Sequence, residues 1–167
     1  VLAGQTLLGV GSEISGGVRN IYMHDCEAPN NVHRLFFIKT NHRRGAFVEN
    51  VYMEKIKTGA TLRVMEIDMN VLYQWRTLVP TYEERITRIE NIHMIDIDCK
   101  SAKMIYDLKG DHKLPVKDIE LRNIHVGVLV DSLKHVENVE NIVAENITFD
   151  EQNADCLLYT SPSPRDY

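Results

Sequence analysis

A basic segment near residue 42 is one group of side chains able to do chemistry. His42, Arg43 and Arg44 follow one another and end at a glycine, which favours a turn. Such side chains can hold an anion, although charges on a solvated loop are equally common. Thiol chemistry is not indicated, because Cys26 and Cys99 each end an apolar pattern and the sequence contains no Cys-x-x-Cys pair. We therefore expect no metal site and no cofactor.

The composition is that of a globular protein that binds neither nucleic acid nor a membrane. The 167 residues fit one domain, and 44% hydrophobic with 26% charged residues is not the composition of a disordered chain. A formal net charge of −5 gives no electrostatic support for a nucleic-acid partner. No apolar run is long enough to span a bilayer. The sequence starts without Met or a signal peptide, and we expect an N-terminal part to be missing.

The C-terminal stretch CLLYTSPSPRDY, residues 156–167, departs from the pattern that precedes it. Its Ser-Pro-Ser-Pro run is compatible with a flexible linker. The same residues also resemble a transposon-type sequencing adapter translated as protein, and we prefer this interpretation. We therefore predict a domain of residues 1–155 followed by a non-native tail of residues 156–167.

Five segments of the sequence repeat one pattern without gaps. They are VRNIYMHDC, VENVYMEKI, IENIHMIDI, VKDIELRNI and VENIVAENI, and they start 30, 41, 27 and 23 residues apart. Their fourth and sixth positions are apolar and their fifth and seventh mostly polar, which is the period of a half-buried strand. The third position is always Asn or Asp, which tolerate turn conformations. Stacked copies would let these side chains form a ladder from one corner to the next.

These repeats predict an all-β fold of the parallel β-helix type, in which one strand, corner and strand unit recurs in every coil. An antiparallel β-sandwich is the alternative, because its strands also alternate polar and apolar residues. The fixed phase of the Asn position favours the β-helix, since hairpins do not keep one corner residue in register.

The segments GSEISGGVRNIYMHDC, IKT and GAFVENVYM resemble the C-terminal half of glycoside hydrolase family 28, the polygalacturonases and related pectin hydrolases. The similarity extends over residues 7–149. It implies a right-handed parallel β-helix, an extracellular or periplasmic location, and a monomer that binds a pectin-type polysaccharide or oligosaccharide. It also implies inverting hydrolysis by two carboxyl groups. In that family these are aspartates in Asn-Thr-Asp and Asp-Asp motifs that precede GSE, so no catalytic residue is expected in this sequence.

The same resemblance implies positions that contact substrate. The family's Gly-His-Gly motif corresponds to Gly4-Gln5-Thr6, so Gln5, which cannot titrate, occupies the His position. The Arg-Ile-Lys motif that holds the galacturonate carboxylate reads Phe37-Ile38-Lys39. The lysine keeps a point charge, and Phe37 offers a face that can stack on a sugar ring. The basic loop suits an anionic uronide, and a family tyrosine has a counterpart in NVLYQW. The candidate substrate-binding residues are Lys39, Phe37, Arg43, Arg44 and Tyr73.

The resulting hypothesis is a fragment of a pectin-degrading glycoside hydrolase, itself inactive without its catalytic aspartates. The replacements at the His and Arg positions put plain polygalacturonate in doubt and leave another uronide or a decorated pectin open. A non-catalytic, carbohydrate-binding β-helix is the alternative. A polysaccharide lyase on the same fold is a third hypothesis, but the sequence shows no acidic cluster of the kind that binds calcium.

Overall fold

The computed structural model describes residues 4–71 and 83–152, and this part of the chain is all β. Tyr73 and the tail from Cys156 onward lie outside the described residues. The strands are β1 Gly4–Val10, β2 Val18–Ala28, β3 Val32–Lys39, β4 Phe47–Asp68, β5 Arg88–Lys109, β6 Val116–Glu137 and β7 Val139–Gln152.

The strands form one seven-stranded parallel sheet. Its order is β1-β3-β4-β5-β6-β7, and β2 also pairs with β4. Strands β2 and β3 therefore lie along different stretches of the long strand β4. Because every pair in the described part is parallel, the antiparallel sandwich is excluded there and the prediction of an all-β, parallel arrangement is confirmed.

The predicted corner column is present. The third repeat position has a positive φ of 55° to 59° in every copy, at Asn20, Asn50, Asn91, Asp118 and Asn141. Asn and Asp enter this left-handed region more readily than other residues with a Cβ, which explains why the position is restricted to them. The amides also form the expected ladder: Nδ2 of Asn50 donates to Oδ1 of Asn20 at 3.1 Å, and Nδ2 of Asn91 donates to Oδ1 of Asn50 at 2.6 Å.

A second corner column follows five residues after the first and was not predicted. Its members also have positive φ, at Asp25, Lys55, Asp96, Asn123 and Asn146. Nδ2 of Asn123 donates to Oδ1 of Asp96 at 2.7 Å, and Nδ2 of Asn146 donates to Oδ1 of Asn123 at 2.8 Å. The sequence signal was weak because one copy carries a lysine, which is not a typical corner residue.

The core consists of side chains that stack in register from one strand to the next. Three such rows are Val51, Ile92 and Ile119; Met53, Met94 and Leu121; and Ile56, Ile97 and Ile124. All nine are at most 1% exposed, and each buried aliphatic side chain contributes about 1.5–3 kcal/mol. Cys99 belongs to this core, and burial raises the pKa of its thiol, so it packs as a small apolar residue as predicted. Cys26 is only half-buried.

Candidate functional site

A second repeat, five residues long, lies near the C-terminal ends of five strands. It determines where the residues of the candidate site lie. Its copies are residues 7–11, 35–39, 64–68, 105–109 and 133–137. In the three central copies the first, second and fourth residues are buried in the core. Side chains alternate along a strand, so the third and fifth residues point to the side of the sheet opposite to that of the second and fourth residues.

The third and fifth residues of this repeat form what we call the candidate face. Its first row, in register across neighbouring strands, is Gly9, Phe37, Glu66, Asp107 and His135. Its second row is Lys39, Asp68, Lys109 and Glu137. Successive members lie on adjacent strands, about 4.8 Å apart. The topology thus brings together residues that are far apart in sequence.

Phe37 and Lys39 lie at the end of the candidate face nearest β1. The Nζ atom of Lys39 lies 5.9 Å from the centroid of the Phe37 ring, and the guanidinium of Arg34 lies 4.5 Å from the same centroid. The neighbouring copy of the repeat has glycine at both outward positions. Gly9 is paired with Phe37, and a Cβ on Gly11 would lie 3.9 Å from Cε of Lys39. No side chain from those two positions covers the phenylalanine or the lysine.

The two carboxylates in the first row are held by cations. Nε of Arg34 donates to Oε2 of Glu66 at 2.5 Å. Asp107, whose side chain is 6% exposed, accepts from Nε of Arg63 at 3.3 Å and from Nδ1 of His135 at 2.9 Å. Both acidic groups of this row are therefore matched by cations of the protein itself.

The charge state of Asp107 follows from its neighbours. Burial alone raises its pKa, but the hydrogen bond from His135 and the charges of Lys109 and Arg63 outweigh burial and lower the pKa below the ordinary aspartate value. Nζ of Lys109 lies 3.5 Å from Oδ2 of this carboxylate. Asp107 is therefore ionised at neutral pH and cannot serve as a general acid there.

The basic segment forms a turn shortly after β3. Oδ1 of Asn41 accepts a hydrogen bond from the Arg43 amide at 3.0 Å, and its backbone oxygen accepts one from the Arg44 amide at 3.3 Å. The Gly45 amide then donates to the backbone oxygen of Arg85 at 2.7 Å. These bonds fix the turn beside the second row of the candidate face.

The basic side chains of His42 and Arg44 contact carboxylates. Nε2 of His42 lies 2.8 Å from Oδ2 of Asp111, and a terminal guanidinium nitrogen of Arg44 lies 3.5 Å from Oε1 of Glu13. Burial raises the pKa of Asp111, but the backbone amide of Lys113 and the charge of His42 outweigh it and lower the pKa overall. Asp111 is therefore a negative partner for His42 at neutral pH.

An open groove of about 420 Å³ runs between this turn and the second row of the candidate face. Its lining includes His42 and Asp111, together with Asp68, Lys109 and Glu137 of the second row. The groove is polar and of mixed charge, which suits a hydroxyl-rich ligand better than an apolar one.

The sequence-predicted residues have different positions relative to the candidate face. Phe37 and Lys39 lie on it, and Arg43 and Arg44 lie in the turn beside it. Gln5 is exposed on β1, between two residues that pair with β3, and is not part of the five-residue repeat. The fifth substrate-binding candidate, the tyrosine of NVLYQW, falls outside the described ranges.

Sequence interpretation missed several charged residues on and around the candidate face, namely Arg34, Arg63, Glu66, Asp107, Lys109 and His135. The sequence contained a signal for three of these residues. The segments LFFIK, VMEID and IYDLK share apolar first, second and fourth positions, so their third and fifth positions are outward. Aligning these segments would have identified Glu66, Asp107 and Lys109.

The described residues contain no group of three or more His, Cys, Asp or Glu side chains able to hold a metal ion. Within residues 4–71 and 83–152, no helix has the length and apolar character needed to cross a membrane. No protein-family model matches the chain, and no curated protein is significantly similar to it.

Proposed function

We propose that the chain is part of a right-handed parallel β-helix that binds an acidic, pectin-type glycan on the candidate face, within a glycoside hydrolase of the polygalacturonase kind. The observation that carries the proposal is that Phe37 and Lys39 lie side by side, next to Gly9 and Gly11 of the neighbouring copy of the repeat. The repeated long strands, their stacked corners and the amide ladder support the β-helix. The location would be extracellular or periplasmic, as the resemblance implies.

The first step of binding is recognition of one sugar at the β1 end of the face. An aromatic ring stacks on the apolar face of a sugar, and an ammonium group forms a charge-assisted hydrogen bond with a uronate carboxylate. Phe37 and Lys39 offer these two groups side by side. Gly9 and Gly11 leave the adjoining segment without side chains beside these two groups.

The charge pattern of the second row limits how many uronates the face accepts. The row alternates in sign, with Lys39, Asp68, Lys109 and Glu137 in successive strands. A chain of consecutive uronates needs a continuous cationic strip, because like charges repel. We therefore assign one uronate to Lys39.

The first row suits neutral sugars beyond that position. The carboxylates of Glu66 and Asp107 form ion pairs with Arg34 and Arg63. These pairs carry no net positive charge that would attract a second uronate. Carboxylates accept hydrogen bonds from sugar hydroxyls. We assign hydroxyl-bearing, neutral sugars to the end of the face that carries Glu66, Asp107 and His135.

Glu66 and Asp107 are not assigned as the catalytic pair of the proposed hydrolase. Inverting hydrolysis needs an acid and a base separated by about 6.5–9.5 Å. These two residues are neighbours in register on adjacent strands, and each is held by an arginine. Asp107 also has a lowered pKa, which is the wrong direction for a general acid. No described residue is assigned as the acid or the base.

Calorimetric titration of the full chain tests the proposal. An oligogalacturonide and a neutral galacto-oligosaccharide of equal length are compared in the parent protein and in Lys39→Ala. Loss of the charge-assisted hydrogen bond should weaken oligogalacturonide binding by about 1.5–3 kcal/mol and change neutral-sugar binding much less. Lys100→Ala, an exposed lysine elsewhere on β5, is the matched control. Equal loss for both ligands in Lys39→Ala would show that this lysine supports the fold and would overturn the proposal.

A non-catalytic carbohydrate-binding β-helix is the second candidate function. It is favoured by the cation-bound state of both carboxylates in the first row of the candidate face. Both functions predict the same result in the binding test. They are distinguished by which motifs the gene encodes upstream of Val1. Asn-Thr-Asp and Asp-Asp motifs in the continuous gene would support the hydrolase, and their absence would support the binding protein.

A further inference from the structure

His125 links three neighbouring strands through two carboxylates. Its Nδ1 lies 3.0 Å from Oδ1 of Asp98 on β5, and its Nε2 lies 3.2 Å from Oδ1 of Asp150 on β7. An ionised carboxylate can only accept hydrogen bonds, and a neutral imidazole has one N–H. Both contacts are hydrogen bonds only when the ring carries two protons. The geometry at this position therefore requires an imidazolium.

We propose that His125 is an imidazolium clamp that holds β6 and β7 on β5 most tightly in mildly acidic solution. Loss of one proton leaves a nitrogen lone pair directed at an acceptor oxygen, so a hydrogen bond is replaced by repulsion. Because the ring joins three successive strands, the change affects the C-terminal end of the described sheet. The proposal does not depend on which ligand the candidate face binds.

The other groups around His125 do not remove this effect. Asp98 and Asp150 are the charged groups that face the ring from β5 and β7, and Thr148 is its uncharged partner in register. Lys57 is in register with Asp98 on the far side of that carboxylate.

The sign of the pH dependence is set by the protonated ring. The hydrogen bond with Asp98, followed by the one with Asp150, raises the pKa of His125 above its ordinary value. A raised folded-state pKa means that this stabilisation is complete below the unfolded-state value of about 6.5 and is lost as pH rises through the folded-state value. Stability contributed by the clamp therefore falls from mildly acidic to mildly alkaline solution.

Chemical unfolding of the full chain from about pH 6 to about pH 8, a range that brackets an ordinary histidine, tests the proposal. The denaturant midpoint of the parent should fall with rising pH, and His125→Gln should reduce that fall. His112→Gln is the control, because this exposed ring lies 3.8 Å from Asp111, beyond hydrogen-bond range. Unchanged pH dependence in His125→Gln would overturn the proposal.

A direct titration keeps the proposal testable if the variants fail to fold. Imidazole NMR signals of the parent chain report the protonation of each ring. The His125 signal should titrate at higher pH than an ordinary histidine, and Asp150→Asn should move it back toward the ordinary value. A His125 ring that titrates at or below the ordinary histidine value in the folded chain would refute the clamp.

Discussion

Asn141 donates a hydrogen bond from Nδ2 to Oδ1 of Asp118 at 3.0 Å, but Asp118 has no amide with which to continue the ladder to Asn91. His93 donates to the Asn91 oxygen instead. One aspartate in an asparagine column thus interrupts the amide ladder and leaves an acceptor that a ring nitrogen of His93 uses. A carboxylate in place of an amide at this position therefore changes the hydrogen bonding of side chains on both β5 and β6.

Asp118→Asn should restore the ladder and stabilise the fold. The new Nδ2 can donate to Asn91, whose oxygen has a second lone pair, while Oδ1 still accepts from Asn141. We expect a gain of about 0.5–1.5 kcal/mol in the free energy of unfolding, measured by chemical denaturation. Asn50→Asp is the matched reverse change, because it removes the donor to Asn20 and should cost a similar amount. A lower stability of Asp118→Asn would contradict this account of the ladder.

Gly17→Ala should be strongly destabilising, whereas Gly16→Ala should be nearly neutral. Gly17 has φ +83°, and a Cβ there would lie 2.6 Å from Cζ of Phe47, while a Cβ on Gly16 meets nothing within 4 Å. The left-handed backbone and the overlap together cost about 2–4 kcal/mol. Thermal unfolding of the two variants measures the difference. Equal melting temperatures would show that the turn rearranges at no cost.

Phe37→Arg should increase the affinity for a uronide. An arginine beside Lys39 adds a planar, bidentate partner for the carboxylate, which the ring of Phe37 cannot provide. We expect oligogalacturonide binding to tighten about tenfold, equivalent to about 1.4 kcal/mol, in calorimetric titration. Phe37→Leu separates the loss of the aromatic face from the gain of charge. Tighter binding of neutral sugars by the arginine variant would be inconsistent with carboxylate recognition.

Asp107→Asn should destabilise the protein at neutral pH and have little effect in strong acid. The variant removes the negative charge that Arg63 and His135 share, which costs about 1–3 kcal/mol. Because the folded-state pKa of Asp107 is lowered, its contribution is complete above the unfolded-state value of about 3.9 and is lost as pH falls through the folded-state value.

Urea unfolding at several pH values measures the difference between the parent and Asp107→Asn. Asp131→Asn, an exposed carboxyl group on β6, serves as the control. A constant difference down to strong acid would mean that the aspartate acts through packing rather than through its charge.

The sequence by itself determined the parallel, all-β arrangement and the first corner column. That prediction was possible because a corner with positive φ restricts its residue type, so Asn20, Asn50 and Asn91 remain visible as a repeat. It also singled out Phe37 and Lys39, which the structure places side by side, although their proposed role in substrate binding stays a prediction.

Only the tertiary structure decided which residues share the candidate face and which histidine ring lies between two carboxylates. Outward positions are free to vary, so the row from Phe37 through Glu66 and Asp107 to His135 shows no common residue type. Its contacts join strands separated by connections of unequal length, and the register between those strands follows from stacking the buried side chains. The double protonation of His125 likewise depends on two carboxylates from β5 and β7 meeting one ring, which no local pattern specifies.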